Sequence, residues 1–185
     1  MKWTISNQLT VGRVVIIPVF LLVFYLPEAI GHWLSAILFS LAAFTDWLDG
    51  YLARSRGEVT PFGRFLDPVA DKLLVATALV LLVSSGQAPA VLAIIIIGRE
   101  IAIGALREWL ARLATIVHVS QIAKWKTAIQ MAAIAALLLH VDVAGVSMQD
   151  VGLSLLWIAA ALTLWSGYEY TRDAWPELME QSKNE

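Results

Sequence analysis

Cysteine is absent from this 185-residue chain, which excludes disulfides and thiolate metal sites and leaves the redox compartment open. Charge is scarce: Asp, Glu, Lys and Arg together make 15% of the residues, and no basic run resembles a nucleic-acid patch. No polar linker, internal repeat or low-complexity tract divides the chain, so residues 1–185 read as a single domain. The apolar run from Val14 lacks the small-residue cleavage pattern of a signal peptide and reads as a retained membrane span. What abounds is hydrocarbon. At 59% hydrophobic residues and a mean hydropathy of +0.72, the chain is too apolar for an ordinary soluble domain.

Six hydrophobic segments, roughly 9–26, 32–52, 68–84, 89–110, 127–140 and 151–170, predict an all-α integral membrane bundle of six transmembrane helices. The fifth is short and is expected to extend back through residues 124–126. The connections "LPEAIG", "SSGQAP" and "HVDVAG" are brief and carry turn-forming Pro, Gly or Asp. The thirteen Lys and Arg fall at the N-terminus, in the second and fourth connections, in the tail, or in the span halves adjoining them. That alternation predicts both termini on the cytoplasmic side. The charged tail from about residue 171 is expected to fray. Trp3, Trp33, Trp109, Trp125 and Trp175 fall near predicted span ends, as interfacial anchors do. Pro18 is expected to kink the first span.

Against this background the stretch "TDWLDGYLARSRGEVTPFGRFLDPVADK" gathers four aspartates. Asp46, Asp49, Gly50 and Ala53 share one helical stripe at the end of the second span; Asp67 and Asp71 share another at the start of the third. The loop "SRGEVTPFGRF" can fold the two helices antiparallel and bring the stripes face to face. Four carboxylates in one small volume repel unless protonated or neutralised by cations. Hard divalent ions with oxygen ligands, Mg²⁺ or Mn²⁺, fit best, and two would balance four charges. Each residue alone also has a plainer role: Asp67 as an N-cap before Pro68, Asp46 or Asp49 as a solvated interfacial residue, Gly50 and Ala53 as packing residues. Together with Arg54 they describe a pocket. Magnesium held by few carboxylates completes its shell with phosphate oxygens, small residues admit a large ligand, and Arg54 offers a fork for phosphate. The expected substrate is a diphosphate attached to lipid.

"DWLDGYLAR" from Asp46, then eight residues, then "GRFLDPVAD" from Gly63 resembles the signature of the CDP-alcohol phosphatidyltransferase family at every fixed position and spacing. "NQLTVGRVVIIP", "GREIAIGALRE" and "KWKTAIQM" are similar to the bacterial branch of that family that forms phosphatidylglycerophosphate. Ala123 departs from it, where glycine is common. The resemblance implies a six-helix fold, usually homodimeric, in the bacterial inner membrane, with its site open to cytoplasm and bilayer. It implies Asp46, Asp49, Asp67 and Asp71 as metal ligands, Asp71 also as general base, and Gly50, Ala53, Arg54 and Gly63 at the CDP-diacylglycerol site, with CMP leaving.

The acceptor is read from cations. Arg99 and Arg107 are about two turns apart on the fourth span, and Lys124 opens the fifth; a cationic cluster near the carboxylates points to an anionic acceptor such as glycerol-3-phosphate, whose phosphate the matching family positions bind. Thr10 and Arg13 on the first span are expected to contribute. The plainer alternative for Arg107 and Lys124 is topology, and for Arg99 it is a buried partner such as Glu100 or Glu169. His32, His118 and His140 stand isolated and are not read as metal ligands. Three alternatives stay open: another alcohol acceptor, a UbiA-type prenyltransferase, and a divalent-cation transporter. Two carboxylate pairs in one loop-linked unit disfavour the second. Acidic residues clustered on one side of the membrane disfavour the third.

Overall fold

The computed structural model describes residues 5–56, 61–112, 122–143 and 145–181. Within these, the side chains of 5–9, 28–29, 47, 49–56, 61–62, 64–65, 112, 122–124, 177–178 and 180–181 lie outside the description, as does His118 altogether.

Six helices follow one another: α1 Ile5–Phe24, α2 Glu28–Arg56, α3 Pro61–Ser84, α4 Ala90–Arg112, α5 Ile122–Leu139 and α6 Met148–Gln181. A two-residue hairpin, β1 Asp142–Val143 against β2 Val146–Ser147, fills the α5–α6 connection. Long Leu-, Ile- and Ala-rich segments form helices because a helix satisfies every interior backbone group without water. Turn chemistry stops them. Gly86 adopts φ 74° at the end of α3, and the bonds Gln87 N–H to Leu82 O (2.9 Å) and Gly86 N–H to Val83 O (3.1 Å) make a Schellman closure. At the end of α5, His140 takes the left-handed conformation itself, φ 45°, with its N–H on Ala136 O at 3.3 Å.

Side-chain contacts set the register. Arg13 meets Asp46 and Phe20 meets Phe39, so α1 and α2 run antiparallel. Thr10 meets Asp67 and Arg13 meets Asp71, so α1 and α3 run parallel. Arg99 on Ser166 and Arg107 over Tyr170 make α4 and α6 parallel. One end of the bundle therefore collects the start of α1, the end of α2 and the start of α3. Phe20, Phe39, Leu79, Leu82, Leu92, Ile96, Ile134 and Leu137 form the core, and alanines 42, 78 and 133, fully buried, let helices approach closely. A side chain on Gly152 of α6 would strike Leu137 of α5, 2.7 Å from its Cγ.

The outer surface is apolar. Leu22, Val80, Ile94, Trp157 and Trp165 on four helices stand exposed, a surface suited to lipid rather than water. Among the described residues, one helix, Met148–Pro176, is long and apolar enough to cross a membrane on length and hydropathy; Thr10–Phe24, Ile30–Asp46 and Trp125–Leu139 are shorter apolar helices. Trp33, Trp109, Trp125 and Trp175 are exposed; Trp3 lies outside the described residues.

Two expectations are corrected. The third segment, expected from residue 68, begins at Pro61, so Asp67 and Pro68 sit inside the helix and the plainer N-cap role of Asp67 does not apply. Proline costs one backbone bond there, which packing offsets. The tail expected to fray continues α6 to Gln181, through Pro176.

Candidate active site

A cavity of about 450 Å³ opens among α2, α3, α4 and α5 at the charged end of the bundle. Asp46, Asp67 and Asp71 all line it. Helical spacing explains the pair on α3, since residues four apart share a face, and α2 brings Asp46 to the same space. Arg13, fully buried on α1, ties the two helices together: its Nη1 lies 2.8 Å from Oδ1 of both Asp46 and Asp71. One turn earlier on α1, the buried Thr10 hydroxyl donates to Asp67. Two carboxylates thus face each other with a cation between them, the arrangement that their mutual repulsion requires. Arg13 keeps Nε and Nη2 buried without a partner among the described residues, so donors remain for an anion.

On the far wall stands Glu100 of α4, carrying two cations. Its Oε1 accepts from the Lys126 ammonium of α5 and lies 3.3 Å from Arg99 Nη1. Arg99 Nη2 reaches Ser166 Oγ at 3.0 Å, which fastens α4 to α6, and its Nε is buried without a partner among the described residues. Lys72 of α3 also lines the cavity and lies against Gly104 of α4. Thr127, Gln130 and Met131 of α5 complete this wall. A partly buried carboxylate shared by two cations stays favourable only while each group remains paired, and ionisable groups in an apolar bundle mark a candidate functional site.

The structure therefore brings Asp46, Asp67, Asp71, Thr10 and Arg13 together. It does not bring Arg99 and Arg107 into that cavity. Arg99 stands behind Glu100, one of the two partners its sequence allowed, and Arg107 lies over the Tyr170 ring, 5.5 Å from its centroid. Gly63 is buried near the start of α3. The side chains of Asp49, Gly50, Ala53, Arg54 and Lys124 lie outside the described residues. Sequence reasoning left out Glu100, Lys126, Gln130 and Lys72 as site residues. An acidic residue inside an apolar segment was a usable signal for Glu100, and the i, i+4 spacing of Lys126 and Gln130 puts them on one face.

Does the donor set suit a divalent ion? Among the described residues, no three His, Asp or Glu side chains converge tightly enough to hold one. Yet Asp46 and Asp71 offer oxygen only, and both already turn one oxygen to a single cationic nitrogen. That chemistry fits a hard ion such as Mg²⁺ or Mn²⁺.

The family model for CDP-alcohol phosphatidyltransferase matches residues 3–165. A Pseudomonas fluorescens protein named CDP-diacylglycerol–glycerol-3-phosphate 3-phosphatidyltransferase is 48% identical over 98% of this chain and 95% of its own length. Proteins of the same name from Shigella flexneri serotype 5b (strain 8401) and Haemophilus influenzae are 46% and 45% identical, covering 98% and 97% of this chain and 100% and 98% of their own.

Proposed function

The chain belongs to the CDP-alcohol phosphatidyltransferase family, and from that membership we infer that it is a membrane enzyme moving a phosphatidyl group from CDP-diacylglycerol to glycerol-3-phosphate, forming phosphatidylglycerophosphate and CMP. One observation carries the reading: relatives 46–48% identical over nearly the whole chain bear the name of this reaction. The cavity supplies matching chemistry, with carboxylates on one wall and cations held by a carboxylate on the other.

Asp46, Asp49, Asp67 and Asp71 would hold the divalent ions, two by charge balance, which when bound neutralise the diphosphate and stabilise departing CMP. Asp71, on the cavity wall one turn beyond Asp67, takes the proton of the acceptor hydroxyl as its oxygen bonds to phosphorus. The bond from that phosphorus to the CMP oxygen breaks, and CMP leaves with the electron pair. Thr10 and Arg13 hold the carboxylates in place, and Arg13's unpaired nitrogens can take a phosphate oxygen. Gly50, Ala53, Arg54 and Gly63 form the nucleotide side of the donor site. Arg99, standing behind Glu100, supplies positive charge for the acceptor phosphate, with Arg107 about two turns further along α4 and Lys124 near the start of α5. Glu100 keeps Arg99 and Lys126 oriented before that phosphate arrives.

In this reading all six helices cross the bacterial inner membrane, with both termini and the cavity on the cytoplasmic side. Support comes from the apolar outer surface and from basic residues concentrated at one end. Homodimer formation is expected from the family likeness. The test is direct: purified protein in detergent receives CDP-diacylglycerol, Mg²⁺ and a panel of alcohols. CMP should appear with glycerol-3-phosphate. Release with serine, choline or inositol phosphate instead would reassign the acceptor, and metal uptake by proteoliposomes without CMP release would favour a transporter.

A further inference from the structure

Gln130 is 3% exposed on α5 and lines the same cavity as Asp46, Asp67 and Asp71. Its Oε1 is buried with no hydrogen-bond partner among the described residues. A buried carbonyl oxygen without a donor is costly, and native interiors rarely leave one unexplained. The residue is one helical turn from Lys126, whose ammonium bonds Glu100 on the same wall. It therefore sits on the wall formed with Glu100, the carboxylate that holds Arg99 and Lys126, and that wall adjoins the space lined by Asp71.

We propose that the Gln130 carboxamide is the specificity-determining group that accepts a hydrogen bond from the hydroxyl of glycerol-3-phosphate that does not attack phosphorus. The assignment rests on the transferase reading above. Elimination gives the partner. A carboxamide oxygen only accepts, so it cannot face the acceptor's phosphate oxygens, which also accept and belong with the cations. Of the two hydroxyls, the attacking one gives its proton to Asp71. The second hydroxyl is the donor left over, and it satisfies an oxygen that nothing else satisfies. Acceptors with no such hydroxyl would leave Oε1 unpaired in the loaded site, which is how a buried polar group rejects a deoxy analogue.

The test compares glycerol-3-phosphate with 3-hydroxypropyl phosphate, which lacks only that hydroxyl, as acceptors for CMP release at saturating CDP-diacylglycerol. Wild-type protein should prefer glycerol-3-phosphate by about tenfold or more in kcat/KM. Gln130→Met, close in volume and apolar, should bring the ratio near one by losing glycerol-3-phosphate turnover, with the KM for the lipid donor unchanged. Gln130→Glu, which keeps an acceptor oxygen, should keep the preference. A wild-type enzyme that does not discriminate overturns the proposal whatever the variants do. So does a Met variant in which both acceptors fall together, the result of a merely structural role. CMP release with neither acceptor would instead sink the transferase reading, and this assignment with it.

Discussion

At one end of the bundle Arg13, Asp46, Asp67, Asp71, Glu100 and Lys126 link α1 to α2 and α3, and α4 to α5, through charged contacts. At the other end a cavity of about 410 Å³ is bordered by the ends of α1, α3 and α5 and the starts of α2 and α6, with no Asp, Glu, Lys or Arg among the described residues that line it. There His32 and His140 meet edge to face at 5.1 Å between ring centroids, His140 Nδ1 meets Gln149 Oε1 at 3.0 Å, and Gln149 Nε2 donates to the Gln87 carbonyl at 2.7 Å. Both ends are concave, and both use side chains from several helices. The difference lies in what the contacts are for. Neutral hydrogen bonds close off chain turns, where backbone groups need partners. Ion pairs between otherwise apolar helices close off nothing; they hold opposed charges near a space that a charged ligand can enter.

That contrast can be attacked from its strong side first. Asp71→Asn keeps the shape of the side chain and removes the base, so CMP release should fall on the order of 10²–10⁴-fold with the protein still folded. A loss of less than tenfold would move proton abstraction to another group. Arg13→Met leaves Asp46 and Asp71 opposed with no cation between them. Thermal or denaturant unfolding in detergent should show a loss of roughly 3 kcal/mol, and added Mg²⁺ should recover part of it. If Mg²⁺ has no effect on the variant, the two carboxylates do not share an ion. Arg99→Gln should raise the KM for glycerol-3-phosphate by about tenfold and leave the KM for the lipid donor nearly unchanged; equal shifts in both would assign Arg99 to the bundle and not to the acceptor. The smallest effect belongs to the neutral end. His140→Gly relieves a left-handed backbone but loses the bond to Gln149, two opposed contributions of about 1 kcal/mol each. Stability should therefore move little, and CMP release should not change. A large drop in turnover would mean the two ends are coupled.

Much of this division was legible in the chain. Asp67 and Asp71 four residues apart, and Asp46 on the neighbouring segment, required one shared site once the two helices were joined by a short loop. Runs of apolar residues gave the number and order of helices. Boundaries were harder. Asp67-Pro68 looks like a helix start, because proline is well tolerated at the first position; the helix instead starts at Pro61. Pro176 and the charges after residue 170 look like a helix end, yet α6 runs on to Gln181. Partners across helices were harder still. Nothing in the sequence around Arg13 says that its guanidinium goes to two aspartates more than thirty residues away, because that depends on the parallel register of α1 with α3 and the antiparallel register with α2. The same holds for Glu100 with Lys126, and for Gln130, whose importance lies in a missing hydrogen bond that only three dimensions can show.

Chelation tests the centre of this account most directly. CMP release from CDP-diacylglycerol and glycerol-3-phosphate is followed before EDTA, after EDTA, and after Mg²⁺ is returned in excess. The carboxylates of α2 and α3 acting through a divalent ion predict complete loss and full recovery. Turnover that persists through exhaustive chelation would contradict it.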